Sequence, residues 1–411
     1  MRTIYLVGVK IYRLLIWLLS PFNDKARKWL SGRRGLLAQI AREVDSSRGS
    51  IWFHFASLGE FEQGRPVLEA LRAQRPDNTF VVTFYSPSGY EVRKTTPLAD
   101  HVFYLPDDSP RNAHRFIQSI NPQMAIFTKY EYWPFYFRSL ASKKIPLYLI
   151  SAIFRPDQVF FKWYGGFFRR TLECVTHFFT QNEESLKLLG HLDITQASLA
   201  GDTRFDRVVT LPDVWKFIPE IEPIVEGRAV LVAGSTWPAD EQLLVRLQEQ
   251  HPDWAFIIAP HEIHEDRITS IEKLFSRCVR FSSARRQTTD SEQQRPRIMI
   301  IDNIGMLSSL YGYGDIAYIG GGFGVGIHNT LEAAAYGIPV IFGPNYNKFQ
   351  EAKDLIEKGA GYSVNDTGSL LDVFERLTGE QERETAGRAA RHYVQARAGA
   401  TAAILRHLAN K

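Results

Sequence analysis

The stretch Gly320-Gly-Gly-Phe-Gly-Val-Gly-Ile-His-Asn-Thr-Leu-Glu332 decides how this chain is interpreted. The stretch Asp315 to Ile319 before it, apolar from Ile316 on, predicts a buried strand, and Thr330 to Tyr336 predict a short helix. The glycines therefore form a strand-to-helix turn that exposes backbone N–H groups at a helix N-terminus. Those groups and the positive end of the helix dipole favour an anion, and a phosphate is the obvious ligand.

The spacing of Asn329 and Glu332 fits two interpretations. In one, they are the N-cap and the third helical residue of a capping box. In the other, they face a nucleotide, and the Glu332 carboxylate accepts hydrogen bonds from two ribose hydroxyls. Spacing alone does not separate the two. The glycine run differs from an early G-x-G-x-x-G motif, so it is a poor fit to a dinucleotide fingerprint.

Two series of short apolar segments, with helical stretches between several of them, predict parallel sheets covered by helices. The expected strands are Ile51 to Ala56, Phe80 to Tyr85, Met124 to Thr128, Leu147 to Ser151, His177 to Thr180, Ala197 to Ala200, Ala229 to Ala233, Ala255 to Ala259, Arg297 to Ile301, Asp315 to Ile319 and Pro339 to Phe342. The polar segment 282–295 predicts an exposed loop, and residues 378–409 predict closing helices.

Residues 211–227 separate the two series, contain three prolines and have no clear period, so they predict a linker. The flanking domains, 46–210 and 228–411, both belong to the α/β class and are expected to be doubly wound. Such domains bind ligands outside the carboxyl ends of their strands, so the ligand is expected in the cleft where the domains face one another.

Residues 1–45 form a separate apolar and basic segment. Ile4 to Ser20 is apolar apart from Lys10 and Arg13, which a helix would place with Arg2 in one narrow sector. The run is short for a membrane span and lacks a signal-peptide cleavage pattern. It predicts a helix anchored on or partly in the cytoplasmic face of a membrane, with its cations toward anionic head groups. An ordinary helix docked on the protein is the alternative.

Composition limits the class of protein further. With 411 residues, 45% of them apolar and 23% charged, the chain is predicted to be globular with two domains. Its net charge of +4 is concentrated in the first 45 residues, so a general nucleic-acid-binding face is not expected. Cys174 and Cys278 fit neither a disulfide framework nor a metal site, which indicates a reducing compartment.

Two carboxylates follow predicted strands of the first domain. Glu60 lies in Ser57-Leu-Gly-Glu60, among apolar neighbours that raise a carboxyl pKa toward the range of a general base. It could instead complement a helix dipole. Glu131 lies in Lys129-Tyr-Glu-Tyr-Trp-Pro134, where it could hold a sugar, organise the base or pair with Lys129.

Two further segments follow predicted strands of the second domain. Ser235 and Thr236 place two hydroxyls at a helix N-terminus, which predicts a phosphate site, although plain N-capping explains them equally well. The segment Pro260 to Glu265 has the order H-E-x-H-E, which differs from the zinc-binding H-E-x-x-H, so we expect a loop that lines the ligand cleft and no metal.

Taken together, the chain resembles the bacterial 3-deoxy-D-manno-octulosonic acid (Kdo) transferases of lipopolysaccharide synthesis, which have the GT-B glycosyltransferase fold. The resemblance spans nearly the whole chain in order, and its last two blocks are highly specific. It is carried by WFHFASLGE at 52–60, KYEYWP at 129–134, AGDTRFD at 200–206, AGSTWPADE at 233–241, IDNIGMLSSLYGYGDIAYIGGGF at 301–323 and HNTLEAAAYGIPVIFGPNYNKFQEA at 328–352.

This resemblance implies transfer of Kdo from CMP-Kdo to a lipid A precursor of the lipid IVA type at the inner membrane, with inversion and without a metal or other cofactor. It implies that Glu60 is the proton acceptor, that Glu131 helps to stabilise the transition state, and that Arg204 stabilises the leaving group where a Lys is usual. The implied CMP-binding residues are Ser235, Thr236, Pro260, His261, Gly305, Met306, Leu307, Asn329, Thr330, Leu331 and Glu332.

The chain departs from the family pattern at three places. Pro260-His261-Glu262 replaces Pro-Arg-His, Arg204 replaces Lys, and Ser151-Ala-Ile153 replaces Asn-Ala-Arg. A GT-B transferase that uses a UDP-sugar is therefore one alternative. A catalytically silent nucleotide-sugar-binding partner of a membrane assembly is another, but a protein that only binds has no use for a general base such as Glu60.

Overall fold

The computed structural model describes residues 1–286 and 296–409, so most of the segment 282–295, which the sequence assigns to an exposed loop, lies outside the described residues. The chain divides into two compact units. The first is formed by Met1–Arg207 together with the C-terminal residues from Ala398, and the second by Val208–Arg397.

The first unit begins with three helices and continues as a seven-stranded parallel sheet with helices between the strands. Its helices are α1 (Arg2–Leu19), α2 (Asp24–Ser31), α3 (Leu36–Glu43), α4 (Leu58–Gln74), α5 (Pro87–Arg93), α6 (Pro110–Ile120), α7 (Pro134–Ser142), α8 (Gly166–Leu172), α9 (Glu183–Gly190) and α10 (Thr203–Val209). Its strands are β1 (Ser50–Phe55), β2 (Thr79–Phe84), β3 (His101–Tyr104), β4 (Pro122–Thr128), β5 (Leu147–Ala152), β6 (His177–Thr180) and β7 (Ala197–Leu199).

The strand order of this sheet is β3-β2-β1-β4-β5-β6-β7. The order reverses between β1 and β4, which pair in parallel with His54 opposite Phe127. Both faces of β1 are buried, since Trp52 contributes to one apolar core and Phe53 to another. This explains why the strand is a nearly continuous apolar run. Ligands of doubly wound sheets bind at such a reversal, outside the carboxyl ends of the strands.

The second unit repeats the architecture with a second seven-stranded parallel sheet, in the order β10-β11-β9-β8-β12-β13-β14. Its strands are β8 (Val230–Thr236), β9 (Ala255–Pro260), β10 (Cys278–Arg280), β11 (Ile298–Ile300), β12 (Ile316–Ile319), β13 (Val340–Phe342) and β14 (Gly361–Ser363). Its helices are α11 (Glu222–Val225), α12 (Pro238–Gln250), α13 (Glu265–Leu274), α14 (Leu307–Leu310), α15 (Leu331–Tyr336), α16 (Gln350–Glu357), α17 (Thr367–Thr378) and α18 (Glu380–Arg397).

The glycine turn after β12 allows three strand ends to approach one another closely. A side-chain carbon on Gly320 would lie 2.3 Å from the carbonyl oxygen of Ser235, at the end of β8. One on Gly322 would lie 2.6 Å from the backbone of Gly343, just after β13. Because the obstacle in both cases is backbone, which cannot move aside as a side chain can, glycine is required at both positions.

The C-terminal helix α19 (Ala400–Ala409) packs in the first unit, against α4. Its side chains Ile404 and Leu408 are buried in the same core as Phe53. The sequence assigned all of 228–411 to the second domain, whereas the chain returns to the first unit at Ala398 because this apolar face is buried there. The expected linker 211–227 falls within the second unit and contains α11.

Helix α1 is docked on the first unit along one side only. The Tyr5 hydroxyl donates to Asp108 Oδ2 at 2.8 Å, and Arg13 pairs with Asp107 at the same distance. The exposed side chains of this helix include Ile11, Leu14, Leu15, Trp17, Leu18 and Leu19. The helix is thus docked, as one interpretation of the sequence had it, and still presents an apolar face. Within the described residues, no helix combines the length and the apolar character needed to cross a membrane.

Candidate functional site

Glu60 and Glu131 lie at the same edge of the first sheet. Glu60 is in the first turn of α4, directly after β1, and Glu131 follows the neighbouring strand β4. The backbone N–H of Ala56 donates to Glu60 Oε2 at 2.5 Å. The carboxylates are close enough for the charge of one to affect the ionisation of the other. The structure therefore brings together the two acidic residues that the sequence singled out.

The pKa of Glu60 is strongly perturbed. Burial and, second, the charge of Glu131 raise it to about 8, against the opposing effects of Lys129 and the backbone N–H groups of Ala56 and Ser57. A carboxylate with a pKa in this range is a far stronger base than an exposed glutamate, and it can still lose its proton near neutral pH. Glu60 therefore has the properties of a general base.

Side chains that the sequence did not single out hold Glu131 in place. Trp133 Nε1–H donates to Glu131 Oε2 at 2.8 Å, and His54 Nε2 lies 3.1 Å from the same oxygen. Lys129, the alternative partner considered for Glu131, has its ammonium 5.4 Å from the centre of the Tyr130 ring. The contacts of Glu131 with Trp133 and His54 fix its carboxylate beside Glu60.

Arg204 contributes a cation to the same edge. Its Nε and its terminal nitrogen each lie 2.8 Å from Asp202 Oδ2. Burial would raise the pKa of Asp202, but the charge and hydrogen bonds of Arg204 hold that pKa below its usual value. Burial and the charge of Glu60 raise the pKa of Tyr130, whereas Arg155 and Arg204 lower it. Cations and carboxylates therefore surround the Tyr130 ring.

Backbone strain also concentrates at these strand ends. Lys129 and Ser151 in the first unit and Ser235 in the second have φ angles of 65°, 49° and 55°. This left-handed region costs a residue with a side chain about 1–3 kcal/mol. Such strain persists where the surrounding structure imposes it and is concentrated at ligand-binding sites.

In the second unit, the candidate donor-binding segments follow four neighbouring strands. The strands are adjacent in the order β11-β9-β8-β12, and Thr236 pairs with Pro260 while Gly234 pairs with Ile319. Gly305 to Leu307 follow β11, and Asn329 to Glu332 follow the glycine turn after β12. Because all four strands are parallel, these segments share one edge of the sheet.

The Thr236 hydroxyl forms a hydrogen bond within the protein. It donates to Glu241 Oε1 at 2.8 Å, and Arg267 binds both oxygens of that buried carboxylate at 2.5 Å. The N-cap of α12 is Trp237. Ser235 and Thr236 therefore do not serve as the plain N-cap that the sequence allowed. The hydroxyl of Thr236 supports Glu241, and its backbone takes part in the pairing of β8 with β9.

Asp240, which sequence reasoning missed, ties the glycine turn to α12. Its Oδ2 accepts the backbone N–H groups of Trp237 and Gly321, each at 2.9 Å, and its Oδ1 accepts the Tyr318 hydroxyl at 2.9 Å. Burial raises the pKa of Asp240, while these donors lower it. The side chain therefore fixes the position of the turn. The sequence predicted that this turn exposes its backbone N–H groups to an anion, whereas several of them donate within the protein, namely those of Gly320, Gly321, Gly324 and Gly326.

Three rings lie together at this edge. The His261 ring stacks against Trp237 and against His328, with ring centres 4.7 and 4.5 Å away, and Trp237 Nε1–H donates to His328 Nε2 at 3.2 Å. Burial and then the neighbouring His261 lower the pKa of His328. A cavity of about 350 Å³ adjoins them and is lined by Trp237, Pro238, Ala239, Asp240, Gly321, Phe323, Gly324 and Val325.

His264 and Glu265, which belong to the same H-E-x-H-E segment, form other contacts. His264 accepts the backbone N–H of Arg267 at 3.3 Å and so caps α13. Glu265 pairs with Arg280 at 2.9 Å. Of this segment, His261 takes part in the ring cluster, which fits the sequence interpretation of a loop that lines a ligand site.

Asn329 and Glu332 contact each other without forming the reciprocal capping box. Asn329 Oδ1 accepts the backbone N–H of Leu331 at 3.1 Å, and its amide donates to Glu332 Oε1 at 3.1 Å. The N-cap of α15 is Thr330, whose buried Oγ1 has no hydrogen-bond partner among the described residues. Met306 is the N-cap of α14, after Gly305 with a φ angle of 99°.

Solved structures of known proteins show the same overall fold. UDP-GlcNAc 2-epimerase from Neisseria meningitidis superposes with a TM-score of 0.63, at 16% identity over 88% of this chain and 100% of that one. A glycosyltransferase from Rickettsia africae gives a TM-score of 0.55, at 12% identity over 88% and 97%. These likenesses place both units in the Rossmann-like class that GT-B proteins share.

Sequence comparison identifies the kind of enzyme. Residues 29–207 match the model of the family described as 3-deoxy-D-manno-octulosonic-acid transferase (kdotransferase). The 3-deoxy-D-manno-octulosonic acid transferase of Rickettsia felis is 28% identical over 84% of this chain and 74% of its own length, and that of Haemophilus influenzae 26% over 95% and 93%. The chain is therefore a glycosyltransferase. The resemblance seen in the sequence is confirmed, and its relatives are the bacterial Kdo transferases.

Replacing Glu60 by Gln should stabilise the first unit in a pH-dependent way. The folded pKa of about 8 lies above the ordinary value of 4.5, so the ionisation of Glu60 costs folding free energy as the pH rises through this window. Gln carries no such cost. We expect equal melting temperatures near pH 4 and a gain of about 3 °C or more at pH 9. Melting curves across this range measure the gap, with Glu69→Gln on the same helix as the control. A gap independent of pH would contradict the assignment.

Proposed function

We propose that this protein transfers Kdo from CMP-Kdo to a hydroxyl group of a lipid A precursor and releases CMP. The hydroxyl oxygen attacks the anomeric carbon while the bond from that carbon to the CMP phosphate oxygen breaks. Glu60 accepts the hydroxyl proton, and the electron pair of the broken bond leaves on CMP. Attack opposite the leaving group inverts the anomeric centre, and no step in this scheme requires a metal ion.

The observation that carries this proposal is the raised pKa of Glu60 beside Glu131. A hydroxyl group is a poor nucleophile until a base takes its proton, and a base is most effective when its pKa lies near the working pH. The pKa of about 8 meets that requirement. The charge of Glu131 also favours the positive character that develops at an anomeric carbon in the transition state.

We assign the donor to the second unit. The leaving CMP gains negative charge, which backbone N–H groups at Ser235 and within the glycine turn would stabilise. The flat rings of Trp237, His261 and His328 offer stacking surfaces where the family pattern has Arg after Pro260. Glu332 would accept hydrogen bonds from the ribose.

We place the chain on the cytoplasmic face of the inner membrane through α1. The docked side of this helix is held by Tyr5 and Arg13, and the opposite side exposes a continuous set of apolar residues. Exposed apolar area of this kind, next to the basic residues Lys10 and Arg34, suits the boundary between anionic head groups and acyl chains. A lipid-linked acceptor would be found at that boundary.

Glu60→Gln should abolish transfer while leaving the donor bound. Because only the base is lost, we expect turnover to fall about 10²- to 10⁴-fold, with the affinity for CMP nearly unchanged. Mass spectrometry of the product formed from CMP-Kdo and a tetraacylated lipid A precursor measures the reaction. UDP-sugars offered in place of CMP-Kdo test the alternative donor class.

The matched control for this variant is Glu69→Gln, which removes an exposed carboxylate from the same helix, α4. It should retain the turnover of the unmodified protein. Turnover of Glu60→Gln within a few-fold of that control would rule out the role of Glu60, and product formation from a UDP-sugar alone would rule out the donor.

Glu332→Ala should weaken CMP binding by about tenfold, because a carboxylate that accepts hydrogen bonds from the ribose is removed. Titration calorimetry with CMP measures the affinity, and a melting curve measures the stability. Glu357→Ala, which replaces an exposed glutamate of α16, is the control. A large fall in melting temperature with unchanged affinity would instead favour a purely structural role at the start of α15.

Replacing Ile11, Leu15 and Leu18 together by Gln should release the protein from membranes. All three side chains are exposed, so the fold should be retained while apolar area available to the lipid is lost. Flotation with vesicles that contain anionic lipid measures binding, and Val214→Gln, at another exposed apolar position, is the control. Undiminished flotation of the triple variant would disprove the placement.

A further inference from the structure

His54 is the last residue but one of β1 and is fully buried, in a strand whose other side chains are apolar except for Ser50. Its ring connects two groups on either side. Nδ1 is 2.9 Å from the Thr83 hydroxyl on β2, and Nε2 is 3.1 Å from Glu131 Oε2 after β4. A buried ring in this position must have both nitrogens satisfied, so its tautomer is set by its neighbours.

The first neighbour that sets the tautomer is Thr83. Its oxygen accepts the indole N–H of Trp52 at 2.8 Å, and an indole is always a donor. The Thr83 hydrogen then has two acceptors in reach, His54 Nδ1 at 2.9 Å and the Phe53 carbonyl at 3.3 Å. The shorter contact is the better hydrogen bond. Thr83 therefore donates to Nδ1, and the ring hydrogen is on Nε2.

Glu131, the second neighbour of the His54 ring, favours the same tautomer. If Nε2 carried no hydrogen, its lone pair would face the Glu131 oxygen at 3.1 Å, and two acceptors would oppose each other. Trp133 Nε1 is 2.8 Å from that oxygen and 3.2 Å from His54 Nε2. A hydrogen on Nε2 lets both rings donate to Glu131, so each buried polar atom is satisfied.

We propose that His54 is a positioning residue for the transfer reaction, which holds Glu131 through its Nε2–H while Thr83 fixes its tautomer. The proposal rests on the function proposed above for Glu60 and Glu131. With two donors on one oxygen, the Glu131 carboxylate is held in a fixed orientation beside Glu60. Its charge then keeps Glu60 basic and favours the developing positive charge on the sugar.

A double-mutant cycle tests whether His54 acts through Glu131. We expect His54→Leu to lower kcat about tenfold to a hundredfold, with the KM for the acceptor changed about twofold at most. In a Glu131→Gln background, the same change should lower kcat by no more than about twofold. Losses that multiply would show that His54 acts independently of Glu131 and would overturn the proposal.

Conservative variants of His54 and Thr83 distinguish the loss of a hydrogen bond from a change in side-chain shape. His54→Gln places an amide N–H near the position of Nε2 and should recover most of the kcat lost in His54→Leu. Thr83→Ser should retain kcat, and Thr83→Val, which has the same shape as Thr without the hydroxyl, should lose it. Equal impairment of His54→Gln and His54→Leu would overturn the proposal, as would an unimpaired Thr83→Val.

Nitrogen-15 NMR of histidine-labelled protein tests the hydrogen-bond assignment without any substrate. The His54 signals, identified by their loss in His54→Gln, should show a hydrogen on Nε2 in the unmodified chain. A hydrogen on Nδ1 alone would overturn the proposal. Absence of transfer by the unmodified protein would overturn the proposed function instead, and the NMR result would still decide the tautomer.

Discussion

Two partly buried carboxylates, Glu60 and Glu131, meet at one edge of the first sheet, and the charge of one raises the pKa of the other. Glu60 and Glu131 are brought together because β1 and β4 are adjacent and parallel, with their loops at one edge of the sheet. Trp133 donates to Glu131, and His54 lies within hydrogen-bond distance of the same oxygen, while burial and the charge of Glu131 raise the pKa of Glu60. In the proposed reaction, these unequal environments suit Glu60 to the role of a base and Glu131 to that of a fixed charge.

In the function proposed above, the second unit would receive the negative charge of the leaving group, and it would do so mainly through backbone groups. Gly320 and Gly322 let the ends of β8, β12 and β13 approach closely, and Asp240 holds the turn by accepting the N–H of Gly321. The buried pair of Glu241 and Arg267 supports the end of β8 through Thr236. A turn whose position is fixed in this way would need little rearrangement on binding a ligand.

Much of this could be predicted from the sequence. The central strands are apolar on both faces and were all found, whereas the short strands β3, β10 and β14, which lie at or next to sheet edges, gave no clear pattern. The packing of α19 in the first unit was missed, because an amphipathic helix shows which face is buried but not the surface that covers it. His54 and Asp240 were missed because their partners are distant in sequence. A lone His in an apolar strand was the available signal for the first of these.

The return of α19 to the first unit has a consequence for how the chain is made. Helix α4, which carries Glu60, is covered by residues near the end of the chain, with the whole second unit encoded in between. During translation, domains generally fold in the order in which they leave the ribosome. Here α4 lacks this cover until residues 400–409 have been made, so the packing around the helix that carries Glu60 is completed only after the second unit has been synthesised.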